Sequence, residues 1–390
     1  MRDAQLESGM IPTTAPEYVV FKPPWDYFRD CVAWSAAYVL VPWLMFERYG
    51  NRRVLEEHYE SMKRFLRYVE ASSEGLIVTR GLGDWYDAGP EPPGLSQLTP
   101  IGLPETALFY HAAQVFSRIA ALLGREGDAR EFRELAARIK KAFNERYFDP
   151  ESGQYATGSQ AANAIPLALG LVDEAHRERV IANLVASVEA AGGHPTAGDV
   201  GLRFLLLALH EHGRPDLVEA MATKTDHPSY GFQVLHGATS LTEAWNGPVI
   251  GKSQNHFMLG HLEEWLYAGL AGLSYAFDPG SESFRLTLDP YVARGWHRTC
   301  ATHTLPAGEA RCAWEKRPGG RIALEVEVPV NCDATLRLPT REVESVLESG
   351  RPLAEVPEVR FLGVEGGRAV LELPSGIYRF EIPAGREGES

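Results

Sequence analysis

Apolar residues recur every three or four positions through the first two thirds of the chain, the spacing of helices that bury one face. The clearest pair is Glu105–Leu123 and Asp128–Phe143, separated by Gly124-Arg-Glu-Gly127. In its second arm Phe132, Leu135, Ala136, Ile139 and Phe143 share a face, while Arg130, Arg133, Glu134 and Lys140 point away. This predicts a helical hairpin with Gly124 just past the first helix and Asp128 capping the second. Similar runs predict helices over Ala33–Tyr49, Arg53–Val69, Gln160–Leu171, Glu174–Ala191, Val200–His212 and Pro215–Ala222. A long helix is expected over Phe257–Leu273, preceded by a short one around Thr239–Trp245. Residues 1–30 hold too many prolines for a helix and read as extended chain with aromatic anchors.

Roughly ten helical segments in antiparallel series pack either as a solenoid or as a closed ring. No fixed repeat length is visible, which favours a ring of hairpins around a central pocket. Near residue 276 the period changes to two, as in Phe284-Arg-Leu-Thr-Leu-Asp289 and Arg321-Ile-Ala-Leu-Glu-Val-Glu-Val328. The expected organisation is a helical domain over 1–276 and a β-sandwich over 277–390, with a loose tail from Gly385.

Charge narrows the partners. With 38 basic against 52 acidic residues the net charge is −14, which argues against nucleic acid and anionic membranes. No stretch reaches the ~18 continuous apolar residues of a membrane span. The N-terminus shows no apolar signal core, and four cysteines without a CxxC pair favour a reducing, cytoplasmic setting. One disulfide among Cys300, Cys312 and Cys332 stays open. No metal-ligand spacing or phosphate loop is present, so no cofactor or metal is expected.

Candidate chemistry concentrates in Gly237-Ala-Thr-Ser-Leu-Thr-Glu-Ala-Trp-Asn-Gly247 and Ser253-Gln-Asn-His-Phe-Met-Leu-Gly260. Glu243, Trp245, Asn255 and His256 supply a carboxylate, an indole, an amide and an imidazole, the groups that a neutral polyhydroxylated ligand needs. A surface glutamate and a buried helix-start histidine are the plainer readings of Glu243 and His256. A second constellation, Gly81-Leu-Gly-Asp-Trp-Tyr-Asp-Ala-Gly-Pro90, places Asp84, Trp85 and Asp87 in a loop between hairpins. Its plainer reading is a turn. Thr196-Ala-Gly-Asp-Val200 and Thr157-Gly-Ser-Gln160 line the same mouth or simply cap helices, and Trp34 and Trp43 divide between core and pocket wall.

At these residues the chain resembles the bacterial α-L-rhamnosidases of glycoside hydrolase family seventy-eight. The matching segments are Asp3-Ala-Gln-Leu, Gly9-Met-Ile-Pro12, Trp34 through Trp43, Leu82-Gly-Asp-Trp-Tyr-Asp87 and Ala156-Thr-Gly-Ser-Gln160. They continue, in order, with Thr196-Ala-Gly-Asp-Val-Gly201, Gly237 through Glu243 and Asn255-His-Phe-Met-Leu-Gly260. The resemblance implies an (α/α)6 six-hairpin toroid followed by an antiparallel β-sandwich, and inverting hydrolysis of terminal α-L-rhamnosides. It implies Glu243 as general base and His256 as a substrate contact, with Asp84 and Trp85 in the barrel's Gly-Asp-Trp loop. Rhamnose-containing glycosides are the implied partners.

Two departures qualify this. Trp34-Ser-Ala-Ala37 lacks the acid of the family's Trp-x-Asp-Ala, and no Cys-Pro-x-Arg-(Asp/Glu) segment carries the general acid. Inversion needs two carboxyls roughly 6.5–9.5 Å apart. The expectation is therefore a toroid incomplete at its N-terminus and a chain weak or inactive alone, with Asp84 and Glu105 as the internal candidates for an acid. Apolar faces left exposed by an incomplete ring would favour a homo-oligomer. A sugar-binding remnant is one alternative. An unsaturated-uronide hydrolase is another, with Arg80 and Lys252 receiving the substrate carboxylate.

Overall fold

The amphipathic runs fold as antiparallel helix pairs in a computed structural model that describes residues 1–383. The tail expected to be loose lies outside the described residues. Two units form, one from residues 1–44 and 52–262, the other from 45–51 and 263 onward. The helices are α1 (Val32–Ser35), α2 (Ala37–Tyr49), α3 (Arg52–Ser72), α4 (Gly102–Leu122), α5 (Glu126–Tyr147) and α6 (Gln160–Ala168). They continue with α7 (Arg177–Ala190), α8 (Gly201–Glu211), α9 (Pro215–Thr223), α10 (Tyr230–Leu235) and α11 (Gly247–Ile250). A small ribbon of β1 (Phe148–Asp149) and β2 (Gln154–Tyr155) follows α5.

Apolar periodicity explains the pairing. The α5 stripe of Phe132, Leu135, Ala136, Ile139 and Phe143 is buried as expected. Phe132 meets Phe116 of α4 edge-on at 4.6 Å, and Phe116 meets Tyr59 of α3 at 4.9 Å. Each such side chain contributes about 1.5–3 kcal/mol by leaving water. Helix α4 is buried along nearly its whole length, so it forms the centre of this unit. Gly124 takes φ +71 just past α4, the left-handed conformation that a helix end favours. Asp128 does not cap α5, because Arg125 holds that position. It sits in the first turn, accepting from Tyr59 Oη and Lys63 Nζ at 2.8 Å each, and so ties α5 to α3.

Two expected helices are absent. Residues 239–245 do not coil; their backbone pairs with 253–256 instead, Glu243 N donating to Ser253 O at 2.9 Å and His256 N to Leu241 O at 3.0 Å. Thr242 Oγ1 also donates to Ala244 O at 2.6 Å, a local bond that competes with helix formation. The run 257–273 breaks into a 3₁₀ turn, the short α12 (Leu262–Trp265) and a π-helical turn over Leu266–Leu270. Its final carbonyls are taken by other donors: Tyr291 N reaches Gly269 O at 3.0 Å and Trp314 Nε1 reaches Leu270 O at 2.9 Å.

The second unit holds β3 (Leu273–Asp278), β4 (Ser283–Leu288), β5 (Arg298–Leu305), β6 (Gly308–Lys316), β7 (Ile322–Val328) and β8 (Cys332–Leu338). Then come β9 (Leu347–Glu348), β10 (Arg351–Pro352), β11 (Arg360–Glu365), β12 (Arg368–Leu373) and β13 (Gly376–Ile382). They form two sheets, ordered β10-β9-β13-β7-β6-β5 and β11-β12-β8-β4-β3. Every pairing is antiparallel except β4 with β8, which runs parallel from Phe284↔Cys332 to Leu288↔Leu336. Alternation buries Ala310, Cys312 and Trp314 on β6 and Leu324, Val326 and Val328 on β7. Strand β3 starts at Leu273, ahead of the expected junction at 276. The four cysteines are free. No helix among the described residues is long and apolar enough to cross a membrane.

Candidate active site

A buried carboxylate holds the Gly81–Asp87 loop by its backbone. Glu105, near the start of α4, is fully buried. Its Oε1 accepts from Cys31 Sγ at 3.0 Å, Leu82 N at 3.1 Å and Gly83 N at 3.2 Å, and its Oε2 accepts from Ala33 N at 2.7 Å. Gly81 is required here, since its φ is +120 and a Cβ would lie 2.2 Å from Glu105 Oε1. Burial pushes the Glu105 carboxyl up to about 7 against the pull of these donors.

Asp84 does the same for a second loop. It is fully buried, accepting from Gly198 N at 2.9 Å on Oδ2 and from Val200 N at 3.2 Å and Gly201 N at 2.7 Å on Oδ1. The carboxylate thus serves the N-terminus of α8 from more than a hundred residues away, where the helix dipole favours negative charge. Burial raises it to about 7, and the Asp87 carboxylate adds to the rise. Asp199 N donates to Trp85 O at 2.7 Å and Ala88 N to Thr196 O at 2.9 Å, so the two loops lie backbone to backbone. Gly198 permits this approach, because a Cβ there would meet Trp85 O at 2.2 Å.

The third component is the turn between residues 241 and 256. Its paired arms carry Glu243 and His256, both half-buried. His256 Nε2 lies 3.9 Å from Asp199 Oδ2, and its side chain is 32% exposed against 1% for Asp199. Neither Asp199 oxygen has a hydrogen-bond partner. Burial first, then the carboxylates of Asp84 and Glu243, push Asp199 up to about 8. Lys252 lies over the Tyr86 ring at 5.4 Å, and its pKa is raised first by its bond to Tyr86 and also by the Glu243 charge. Glu243, His256, Asp199 and Lys252 therefore gather around the loop that Asp84 organises.

The expected site residues separate into two groups. Trp85 and Trp34 are half-buried, Trp85 set edge-on to Phe28 at 5.3 Å and Trp34 beside the Ala33 amide that Glu105 holds. Asn255 is exposed. Asp84, Asp87 and Trp245 do not present themselves to a ligand. Asp87 is 2% exposed and accepts from Gln97 N at 3.0 Å and Leu98 N at 2.7 Å. Trp245 is equally buried, its Nε1 donating to Ala197 O at 3.1 Å. Polar side chains that looked ligand-facing in the sequence are consumed by buried backbone groups, which cannot be left unpaired. Arg80 is likewise engaged, pairing with Asp30 at 2.5 Å. Asp199 was missed as an individual residue, although an acid directly ahead of the apolar α8 was a usable signal. Among the described residues no group of three or more His, Cys, Asp or Glu could hold a metal.

The raised carboxyls set the sign of the pH dependence. Folded Asp84, Glu105 and Asp199 titrate at about 7, 7 and 8, above their unfolded values of 3.8, 4.5 and 3.8. The folded state then binds more protons, so their contribution is present at low pH and is lost as pH rises to about 8. His58, His111, His212 and His227 are lowered by burial and act oppositely below their ordinary value of 6.5. The carboxyls therefore dominate between pH 6.5 and 8.5, at up to about 1.4 kcal/mol per pH unit for each differing proton. Denaturant unfolding should show stability falling across that interval; a flat or rising profile contradicts the protonated carboxyls.

Residues 1–270 match the family described as the bacterial alpha-L-rhamnosidase 6 hairpin glycosidase domain, and residues 272–351 match the bacterial alpha-L-rhamnosidase C-terminal domain. An alpha-L-rhamnosidase of Streptomyces avermitilis is 30% identical over 98% of this chain, and one of Formosa agariphila is 25% identical over 98%. The chain spans 35% and 41% of those relatives' own lengths. The crystal structure of the Streptomyces avermitilis protein, complexed with L-rhamnose, superposes with a TM-score of 0.86 at 29% identity, covering 98% of this chain and 35% of that one. The alpha-L-rhamnosidase from Dictyoglumus thermophilum gives 0.86 at 28%, covering 98% and 42%. With a matched six-hairpin domain over 1–270 and the matched C-terminal domain following it, the chain belongs to the bacterial α-L-rhamnosidase six-hairpin glycosidase family.

Proposed function

We propose that this chain contributes the water-activating side of a site that hydrolyses terminal α-L-rhamnosides with inversion, with Glu243 as general base. The observation that carries this reading is the pairing of 241–243 with 253–256, which puts a half-buried carboxylate and a half-buried imidazole on the two arms of one turn, both facing Asp199, in a chain of this family. Glu243 would draw a proton from water as the water attacks the anomeric carbon. His256 would take a sugar hydroxyl, and the half-buried faces of Trp85 and Trp34 would cover the apolar C–H side of the ring. Asp84, Asp87 and Trp245 support the loops. The junction between the two domains is taken at Gly272, directly ahead of β3.

The proton for the leaving group is assigned to neither Asp84 nor Glu105, because backbone donors occupy both carboxyls. Sugar binding without turnover is thereby favoured as the second reading for this chain by itself. The uronide reading loses its main support, since Arg80 is held by Asp30. Titration of the 390-residue chain with L-rhamnose, read by tryptophan emission and calorimetry, should show saturable binding. Saturable binding of a uronic acid in place of L-rhamnose overturns the assignment.

A further inference from the structure

Asp199 is a buried acid whose two oxygens have no hydrogen-bond partner. A carboxyl in that position is costly unless a neighbour compensates it, so each such group asks for an explanation. The titratable groups facing it are Asp84 from the 81–87 loop, and Glu243 and His256 from the two arms of the 241–256 turn. Asp84 is saturated by three amides, and Glu243 carries the wrong sign. His256 remains. Its Nε2 stands 3.9 Å from Asp199 Oδ2, and closing the gap by roughly 1 Å makes an N–H···O bond.

Both ends of this pair are anchored by backbone. Asp199 N is held by Trp85 O at 2.7 Å, and His256 N by Leu241 O at 3.0 Å. The flanking residues Gly198 and Val200 are held by Asp84. Phe257 stacks on the imidazole with an interplanar angle of 14°. The ring thus joins a buried carboxyl to solvent. We propose that Asp199 is the positioning partner of His256: its carboxyl and Nε2 share one proton, which fixes the ring and leaves Nδ1 for a ligand hydroxyl.

The sugar-contacting part of this inference rests on the rhamnoside reading; the proton sharing does not. A singly protonated Asp199–His256 pair is net neutral and so adds no buried negative charge next to the carboxyls of Asp84 and Glu243. The raised titration of Asp199, driven by burial and then by Asp84 and Glu243, agrees with that arrangement. The proton belongs to the pair, so it leaves in one shared step.

Asp199→Asn is the informative variant, because no backbone donor depends on the side chain and the amide has nearly the same shape. The imidazole titration is followed by NMR in the 390-residue chain, with the His256 resonance assigned by its loss in His256→Gln. Replacing Asp199 by Asn should lower the imidazole midpoint by at least about one unit relative to the unsubstituted chain, a tenfold drop in proton affinity. A merely structural Asp199 would leave that midpoint in place, and an unchanged midpoint overturns the proposal. L-Rhamnose affinity should weaken about tenfold in the same variant. A moved midpoint with unchanged affinity overturns the ligand-positioning half. If the unsubstituted chain binds no L-rhamnose, the rhamnoside reading fails while the midpoint comparison still decides the pair.

Discussion

Asp84→Ala is expected to cost about 3–5 kcal/mol, because several buried backbone donors lose their acceptor at once. Three amides, those of Gly198, Val200 and Gly201, depend on this carboxyl. Each buried donor left unpaired costs about 1–3 kcal/mol. The loss is less than the sum because α8 can fray at its first turn. Fraying would release Asp199 from Trp85 O and Trp245 from Ala197 O, so the site should loosen together with the helix. Denaturant unfolding measures the loss, and tryptophan emission reports the loosening. A change below about 1 kcal/mol would mean that the amides find other partners. Asp84→Asn, which keeps one acceptor oxygen, should fall in between.

Glu243→Gln is expected to lower turnover of aryl α-L-rhamnosides by about 10²–10⁴-fold, the usual contribution of a positioned general base. Leaving groups such as p-nitrophenolate depart without a proton, so these substrates test the base independently of an acid. The substitution keeps shape and volume, and the Glu243 N bond to Ser253 O does not involve the side chain. Fold and L-rhamnose affinity should therefore change little. Turnover unaffected by the amide would remove Glu243 from the base role. Proton NMR of the first-formed sugar anomer tests inversion in the same experiment.

The helical pairs were legible because their signal is local. The Phe132–Phe143 stripe repeats with the helix period, and Gly124 marks the helix end that its positive φ confirms. The strands were legible where alternation was clean, as on β7 and β13. The helix over 239–245 was misread because its backbone bonds go to 253–256, which a local pattern does not show. The helix over 257–273 broke for a similar reason, its last carbonyls being met by Tyr291 and Trp314.

Sequence alone determined the family and the order of a helical domain followed by a strand-rich one. The ordered motifs from Asp3 to Gly260 and the change of period near 276 are properties of the chain itself. Only the tertiary structure decided what each polar side chain does. Asp84 and Glu105 had the residue type of a catalytic acid, yet folding spends both on buried amides contributed by distant segments. Asp199 had the composition of a helix start, yet folding leaves it buried, unbonded and beside His256. A residue's type is written in sequence, but burial and the identity of its hydrogen-bond partners depend on which remote segments arrive around it.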